Sequence, residues 1–389
     1  MRIVDIRERA IAVSRYADPA IPSGGLTTSL VAVITDVVRA GKPVIGYGFS
    51  SVGRFAQSGL IRERFAPRLL NATAAALCDE SGANIDPFRA WHVMMAGEKP
   101  GGHGERCVAV GTLDMAIWDA AAKIAGQPLS RFLADRVGSP SPLPSRVRAY
   151  ASGGYRYPEN DIARLSDEIS AFVDLGFTHA KIKVGASQLD VERRRIDAAA
   201  ARLGDASHLA VDAMNGYDHD TAQEAARALA PLQLWWFEDI CDPLDFATQA
   251  DVAMGYPGAI GAGEALFSLA EAKLLDQHGG LRRTRDILLF DPVHCYGLTS
   301  YLQIVRHLTA RGWPRHAFWP HGGHLFSLHL VAALGLGGAE INPHAFQPFR
   351  GLPPMLRLAE GSVALPDVPG IGFEIHQEVW PAFQALCGA

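Results

Sequence analysis

From Arg146 onward the chain repeats one rhythm: a short run rich in β-branched residues, then a longer stretch rich in Ala, Leu and Arg. The runs are RVRAYAS (146–152), HAKIKVG (179–185), HLAVDA (208–213), LWWFED (234–239), AIGAGEA (259–265), DILLFDP (286–292), HAFWPHGG (316–323) and LGGAEIN (336–342). Helical candidates such as 188–203, 221–229 and 298–311 fall between them. Strands alternating with helices at this period imply parallel strands joined by crossover helices. Eight strand units are what a TIM-type barrel requires. The last unit is short, so the expected fold class is α/β, a modified TIM barrel of (β/α)7β type.

Upstream the pattern differs. Residues 2–13 alternate apolar and charged, 29–39 form a β-branched run ending before Gly41, and 45–49 offer a third strand. From 60 to 125 the pattern turns helical, ending in a long apolar-periodic helix over 108–125 closed by Gly126. Strands followed by helices predict a separate α+β unit. The expected division is an α+β capping domain at 1–128 and a barrel at 129–350. A Pro/Gly-rich segment at 351–389, with a strand-like piece near Val363, is expected to pack back on the capping domain.

Within the barrel units, charged residues recur at the C-terminal ends of the strands. Lys181 and Lys183 end the second, Asp212 the third, Glu238 the fourth, Glu264 the fifth, Asp291 the sixth and His321 the seventh; Glu340 lies in the eighth. Asp212, Glu238 and Glu264 are separated by equal steps of 26 residues. Equal steps bring side chains to one mouth of the barrel, the face where barrel enzymes place their active sites. Three carboxylates gathered there raise one another's pKa, and a bound divalent cation resolves that conflict. Hard oxygen ligands with no adjacent His or Cys favour Mg2+ over Zn2+. The competing reading is that each acid caps the next helix or pairs with an arginine. Asp212 alone suits a cap, but Glu is a poor one.

In Lys181-Ile182-Lys183, strand alternation points both lysines to one side. Crowding two cations is expected to lower the pKa of at least one and make it a base near neutral pH. A solvated strand end is the alternative. Asp291 can hydrogen-bond His321 on the adjacent strand, fixing its tautomer and raising its basicity. His321 then lies across the barrel from Lys183, with an acid/base group on each face of a guest. His324, three residues on, competes for that role, but strand-end placement favours His321. The Pro320–His324 stretch reads as a tight, backbone-exposing loop.

Composition bounds the partners. The formal net charge is -5, with no basic field of the kind nucleic-acid binders carry. An acidic substrate must therefore be received by local cations. Cys78, Cys107, Cys241, Cys295 and Cys387 are scattered and form no CxxC pair, so no disulfide framework is expected and a reducing cytoplasm fits. No signal-peptide pattern and no run of membrane-spanning length is found.

The ordered set KIK (181–183), VDA (211–213), FED (237–239), GAGE (261–264), FDP (290–292) and PHGGH (320–324) resembles the mandelate racemase subgroup of the enolase superfamily. The likeness extends to GEKPGGHGER (97–106), GYGF (46–49) and GLIRERFA (59–66), which look most like the D-tartrate dehydratases. The resemblance implies Mg2+ on Asp212, Glu238 and Glu264, Lys183 as the α-proton base, and Lys181 as its electrostatic neighbour. It also implies His321, oriented by Asp291, as the opposite-face acid, with Glu340 on the substrate carboxylate. Lys99, Asn215 and His324 are expected at the substrate. The family's Asp-x-Asn is replaced by Asp212-Ala213-Met214-Asn215, which shifts one polar contact. Val52 stands where D-tartrate dehydratases are expected to carry asparagine, and residues 17–25 look dissimilar. The implied activity is dehydration of a small hydroxy acid such as D-tartrate to a 2-keto acid. A racemase or epimerase using Lys183 and His321, or a catalytically silent barrel that binds metal or ligand, are the alternatives. Barrels of this kind are often even-numbered oligomers, so a homo-oligomer acting on a small-molecule carboxylate is expected.

Overall fold

Three antiparallel strands open the chain: β1 (Ile3–Ala12), β2 (Thr27–Arg39) and β3 (Lys42–Phe49), in the order β1-β2-β3. β2 and β3 meet through Ala40 and Gly41, both at positive φ (48° and 78°), the tight hairpin turn whose twist matches the strands. The computed structural model describes residues 1–50, 54–139 and 142–388, so Val52 lies outside the described residues. The sheet packs on the helix Glu105–Ile124, which is buried nearly all round. The close approach requires glycines. A Cβ at Gly46 would overlap the helix backbone at Ala116, and one at Gly111 would overlap the Val293 carbonyl in the barrel. This one helix is therefore clamped between the antiparallel sheet and the loop that follows Asp291.

The barrel strands are β4 (Arg146–Ser152), β5 (Ala180–Lys183), β6 (Leu209–Asp212), β7 (Phe237–Glu238), β8 (Ile260–Ala262), β9 (Ile287–Leu288) and β10 (Ala339–Ile341). They pair in parallel and in chain order from β4 to β9, and β10 pairs with β4. The strand expected over 316–323 is reduced to a single parallel bridge between Leu288 and Phe318. Its Phe318 carbonyl accepts from Gly337 N at 3.0 Å, which carries the ring on towards β10. The shortening has local causes. A 3-10 turn at Arg315–Ala317 precedes it, Pro320 has no N–H to donate, and Gly322 and Gly323 reverse the backbone at φ 120° and 68°. Helices 161–174, 189–203, 219–229, 246–255, 269–278, 298–310 and 325–334 follow the first seven positions, which gives (β/α)7β.

The tail touches both units. Its strand piece Ser362–Ala364 pairs antiparallel with barrel strand β4, against Arg146, Val147 and Arg148. β10 covers β4 only at residues 149–151, so the earlier half of that edge is open to the tail. The last helix, Trp380–Cys387, instead lays Trp380 and Phe383 against Tyr47 of β3, with ring centres 5.3 and 4.7 Å away. Among the described residues no helix is long and apolar enough to cross a membrane.

Candidate active site

Inside the barrel, a cluster of Tyr150, Ala210, Trp236, Leu289 and Trp319 lies beneath the charged layer. This layer is anchored from below: Trp236 Nε1 donates to Glu238 Oε2 at 2.7 Å. Above it, one carboxylate oxygen each from Asp212, Glu238 and Glu264 lies within 4.8 Å of the others. Parallel register explains the first two, since Asp212 and Glu238 are Cα partners across β6 and β7. Glu264 Oε2 is buried without a hydrogen-bond partner. Three hard oxygens, one of them unsatisfied and none accompanied by sulfur or imidazole within the set, fit a divalent cation of the Mg2+ type.

Both lysines of β5 face these carboxylates, and both are buried. Lys181 Nζ lies 2.5 Å from Glu238, 3.5 Å from Glu340 and 3.8 Å from Asp212; Lys183 Nζ pairs with Asp212. The expectation that crowding lowers a lysine pKa is corrected. Burial acts in that direction, but Asp212 for Lys183, and Glu238 and Glu340 for Lys181, outweigh it and hold both ammonium groups above their ordinary range. Lys183 can act as a base only when the charge of Asp212 is engaged elsewhere.

Opposite them, His321 Nδ1 lies 2.7 Å from Asp291 Oδ2. Asp291 is itself fixed, because its Oδ1 accepts from Val293 N at 2.7 Å and His294 N at 3.2 Å. His321 Nε2 is left to face Glu264 at 3.4 Å and Glu340 at 3.7 Å. Burial would lower the imidazole pKa, but Glu264, Glu340 and Asp291 reverse it and push it up to about 10; an ion on Glu264 would remove the largest of these, leaving Glu340 and Asp291 to hold the proton. Glu340 accepts from Gly322 N at 3.1 Å; against the cost of burial, Lys181, His321 and Lys183 hold it below the usual carboxylate range.

A cavity of about 110 Å³ joins these groups. Its wall includes Lys183, Asp212, Asn215, Glu264, His321 and Glu340, all singled out from sequence. Asn215 Oδ1 is buried and unpartnered there. Met214, Asn215 and Asp239 take left-handed φ of 50°, 60° and 47°, a backbone strain that clusters at functional sites. Two expected contacts are not brought to the cavity. Lys99 is exposed: its neighbour Glu98 is drawn inward by Arg64, Arg68 and Arg106, while the Lys99 carbonyl accepts from Arg106. His324 is buried on the far side of the Gly322-Gly323 turn against Phe49, with ring centres 4.9 Å apart, and burial pushes it down to about 4.

The wall also holds residues the strand-end pattern does not reach: Arg15, Ser152, Tyr155, Asp239, Asn342 and Phe346. Arg15 comes from the N-terminal unit, where no barrel period applies. His294 is a further addition. Its ring stands 5.5 Å from that of His321, its Nε2 makes no hydrogen bond but lies 3.6 Å from Asp291 Oδ2, and burial pushes it down to about 4. The three-residue step from Asp291 was the available sequence signal.

The family described as "Enolase C-terminal domain-like" matches residues 164–379. The chain is 28% identical over 362 residues to L-talarate/galactarate dehydratase of Salmonella typhimurium, covering 92% of this chain and 84% of that one. It is 27% identical over 292 residues to arabinonate dehydratase of Saccharolobus solfataricus, covering 73% and 74%. Among solved structures it is similar to L-talarate dehydratase from Polaromonas sp. JS666 complexed with Mg and L-glucarate. That match has a TM-score of 0.71 and 25% identity, over 95% of this chain and 94% of that one.

Proposed function

The chain belongs to the enolase C-terminal domain-like family, and from that premise we propose that it is a Mg2+-dependent dehydratase that converts a small hydroxy acid to a 2-keto acid. The observation that carries this reading is the shared cavity, which has Lys183 and the His321–Asp291 pair in its wall beside three carboxylates suited to one ion. Asp212, Glu238 and Glu264 would hold Mg2+, which when bound neutralises the substrate carboxylate and stabilises charge developing on its oxygens.

The protein's own residues do the rest. Lys183, with Asp212 engaged at the ion, accepts the α-proton, while Lys181 beneath it keeps its charge. His321 is held at Nδ1, so its protonated Nε2 faces the cavity and delivers a proton to the departing β-hydroxyl. The C–O bond breaks, water leaves, and the enol tautomerises to the 2-keto acid. Glu340 bonds a substrate carboxylate only as the neutral acid, so such binding would be coupled to uptake of one proton from solvent at this carboxyl. Asn215, with a free buried acceptor, would take a substrate hydroxyl.

D-tartrate is our proposed example of the substrate. A cavity of about 110 Å³ is well below the several hundred Å³ usual for ligand pockets and supports a short acid. The proposal also carries the division at 128 and 350, a homo-oligomeric assembly, and a reducing cytoplasmic setting in which all five cysteines stay free. Its test is a screen of three- to six-carbon acid sugars for 2-keto acid formation, with and without Mg2+. Mg2+-dependent keto acid from at least one short hydroxy acid is expected. α-Deuterium exchange from D2O with no keto acid from any of them would instead favour a racemase or epimerase. Neither signal would leave only a binding barrel.

A further inference from the structure

We propose that Arg15 receives a second carboxylate of the substrate, so that the cavity selects short dicarboxylic hydroxy acids over monocarboxylic ones; this rests on the dehydratase reading above. Arg15 lies half-buried in the cavity wall. Its backbone is fixed where the N-terminal unit meets the barrel. Arg15 N donates to Ser23 Oγ at 3.1 Å, Ser14 bridges Gln347, and Phe346 N donates to Ser14 O at 2.5 Å. The next residue, Tyr16, donates its hydroxyl to Arg156 O at 2.7 Å.

The backbone is thus held on both sides, yet the guanidinium makes no hydrogen bond or ion pair among the described residues. Its neighbour is the Tyr155 ring, whose centre lies 5.7 Å from Arg15 Cζ and 5.4 Å from Lys183 Nζ. Two cations therefore flank one ring in a small cavity. The carboxylates of the wall do not answer Arg15. Asp212 and Glu340 face the lysines, Glu264 and Glu340 face His321, Glu264 belongs to the proposed ion site, and Asp239, the fourth acid of the wall beside them, makes no ion pair with Arg15 either. An unpaired guanidinium beside a second cation is unfavourable unless an anion joins it. The planar fork of donors matches a carboxylate, which it can hold by two parallel hydrogen bonds.

One carboxylate of the guest is assigned to the ion and Glu340. The second must then sit at the Arg15 end of the same cavity. At about 110 Å³ the space allows few carbons between them, which points to tartrate-like acids.

The test is calorimetric binding, with Mg2+ present, of the tartrate stereoisomers and galactarate. Each is measured against the aldonate in which CH2OH replaces the distal carboxylate, on wild type, R15Q and R15K. Wild type is expected to prefer at least one tartrate over its aldonate. R15Q should weaken that diacid about 10- to 150-fold, the range for a lost hydrogen bond to a charged group, and the aldonate less than about threefold. R15K should fall between, because it keeps the charge and loses the two-pronged geometry. A wild type that binds both classes equally or binds neither, or an R15Q that weakens both alike or neither, overturns the proposal. Turnover separates the two readings. Arg15-dependent diacid binding with no keto acid and no α-exchange would sink the dehydratase reading alone. Keto acid formed equally from aldonates and diacids, unaffected by R15Q, would sink the Arg15 proposal alone.

Discussion

Replacing Asp291 by Asn should separate the two proton transfers. Val293 N and His294 N both point at Asp291 Oδ1. Two donors demand an acceptor, so the amide oxygen of D291N must take that place and its NH2 must face His321 Nδ1. That ring nitrogen would then accept rather than donate, and the imidazolium loses its partner. His321 is pushed up to about 10 when Glu264, Glu340 and Asp291 all bear on it; with Glu264 engaged at the ion and Asp291 replaced, only Glu340 is left against burial. A fall towards the ordinary imidazole value of about 6.5 would leave roughly 3% of the ring protonated at pH 8, a loss of about thirtyfold from population alone. Loss of the charge-assisted bond at 2.7 Å adds about tenfold or more. Dehydration should therefore drop by about 10²–10⁴. Lys183 lies on the other wall and is untouched, so α-hydrogen exchange should persist within about tenfold. The assay is proton NMR of the substrate in D2O alongside keto acid formation. D291N dehydrating within tenfold of wild type, or losing exchange and elimination equally, would refute the assignment of His321 as the acid.

Two further substitutions test the framework around the site. Asp119 accepts from Tyr47 N at 2.8 Å and Ile371 N at 2.7 Å and pairs with buried Lys123, tying sheet, helix and tail together. D119A leaves the Lys123 ammonium with Glu374 and the Ile45 carbonyl but strands the Tyr47 and Ile371 N–H groups, so it should cost about 2–4 kcal/mol in urea unfolding; a loss under about 1 kcal/mol would contradict the role given to it. Asp114 caps helix 298–310 through Thr299, and burial pushes its carboxyl up to about 8. The folded state therefore holds a proton that the unfolded chain releases near pH 4. Asp114's contribution is fully present below that pH and is lost as pH rises through about 8. D114N should flatten the melting temperature between pH 4 and 8 relative to wild type, and an unchanged slope would place the buried proton elsewhere.

The barrel was legible because its period is long and regular: strand ends one unit apart must converge, and Asp212, Glu238 and Glu264 do. His321 and Asp291 followed from adjacency of strands in the same way. What failed to show was whatever the period does not govern. The seventh strand shrank to Phe318 because Pro320 and two glycines break a run that reads as extended. His324 shares a motif with His321, but the turn between them sends its ring to Phe49. Lys183 looked like a depressed amine when only Lys181 was counted; the partner across β6 reverses the sign. Arg15 and Phe346 reach the cavity through a contact between the β1–β2 loop of the N-terminal unit and the loop after β10, which no local pattern encodes.

The site is most directly tested by anomalous diffraction from crystals grown with Mn2+ in place of Mg2+. The expected result is one strong peak bounded by the oxygens of Asp212, Glu238 and Glu264, with Lys183 and His321 on opposite sides of the adjoining cavity. A principal peak among Asp291, His294 and His321 instead, or none at the three carboxylates, would contradict it.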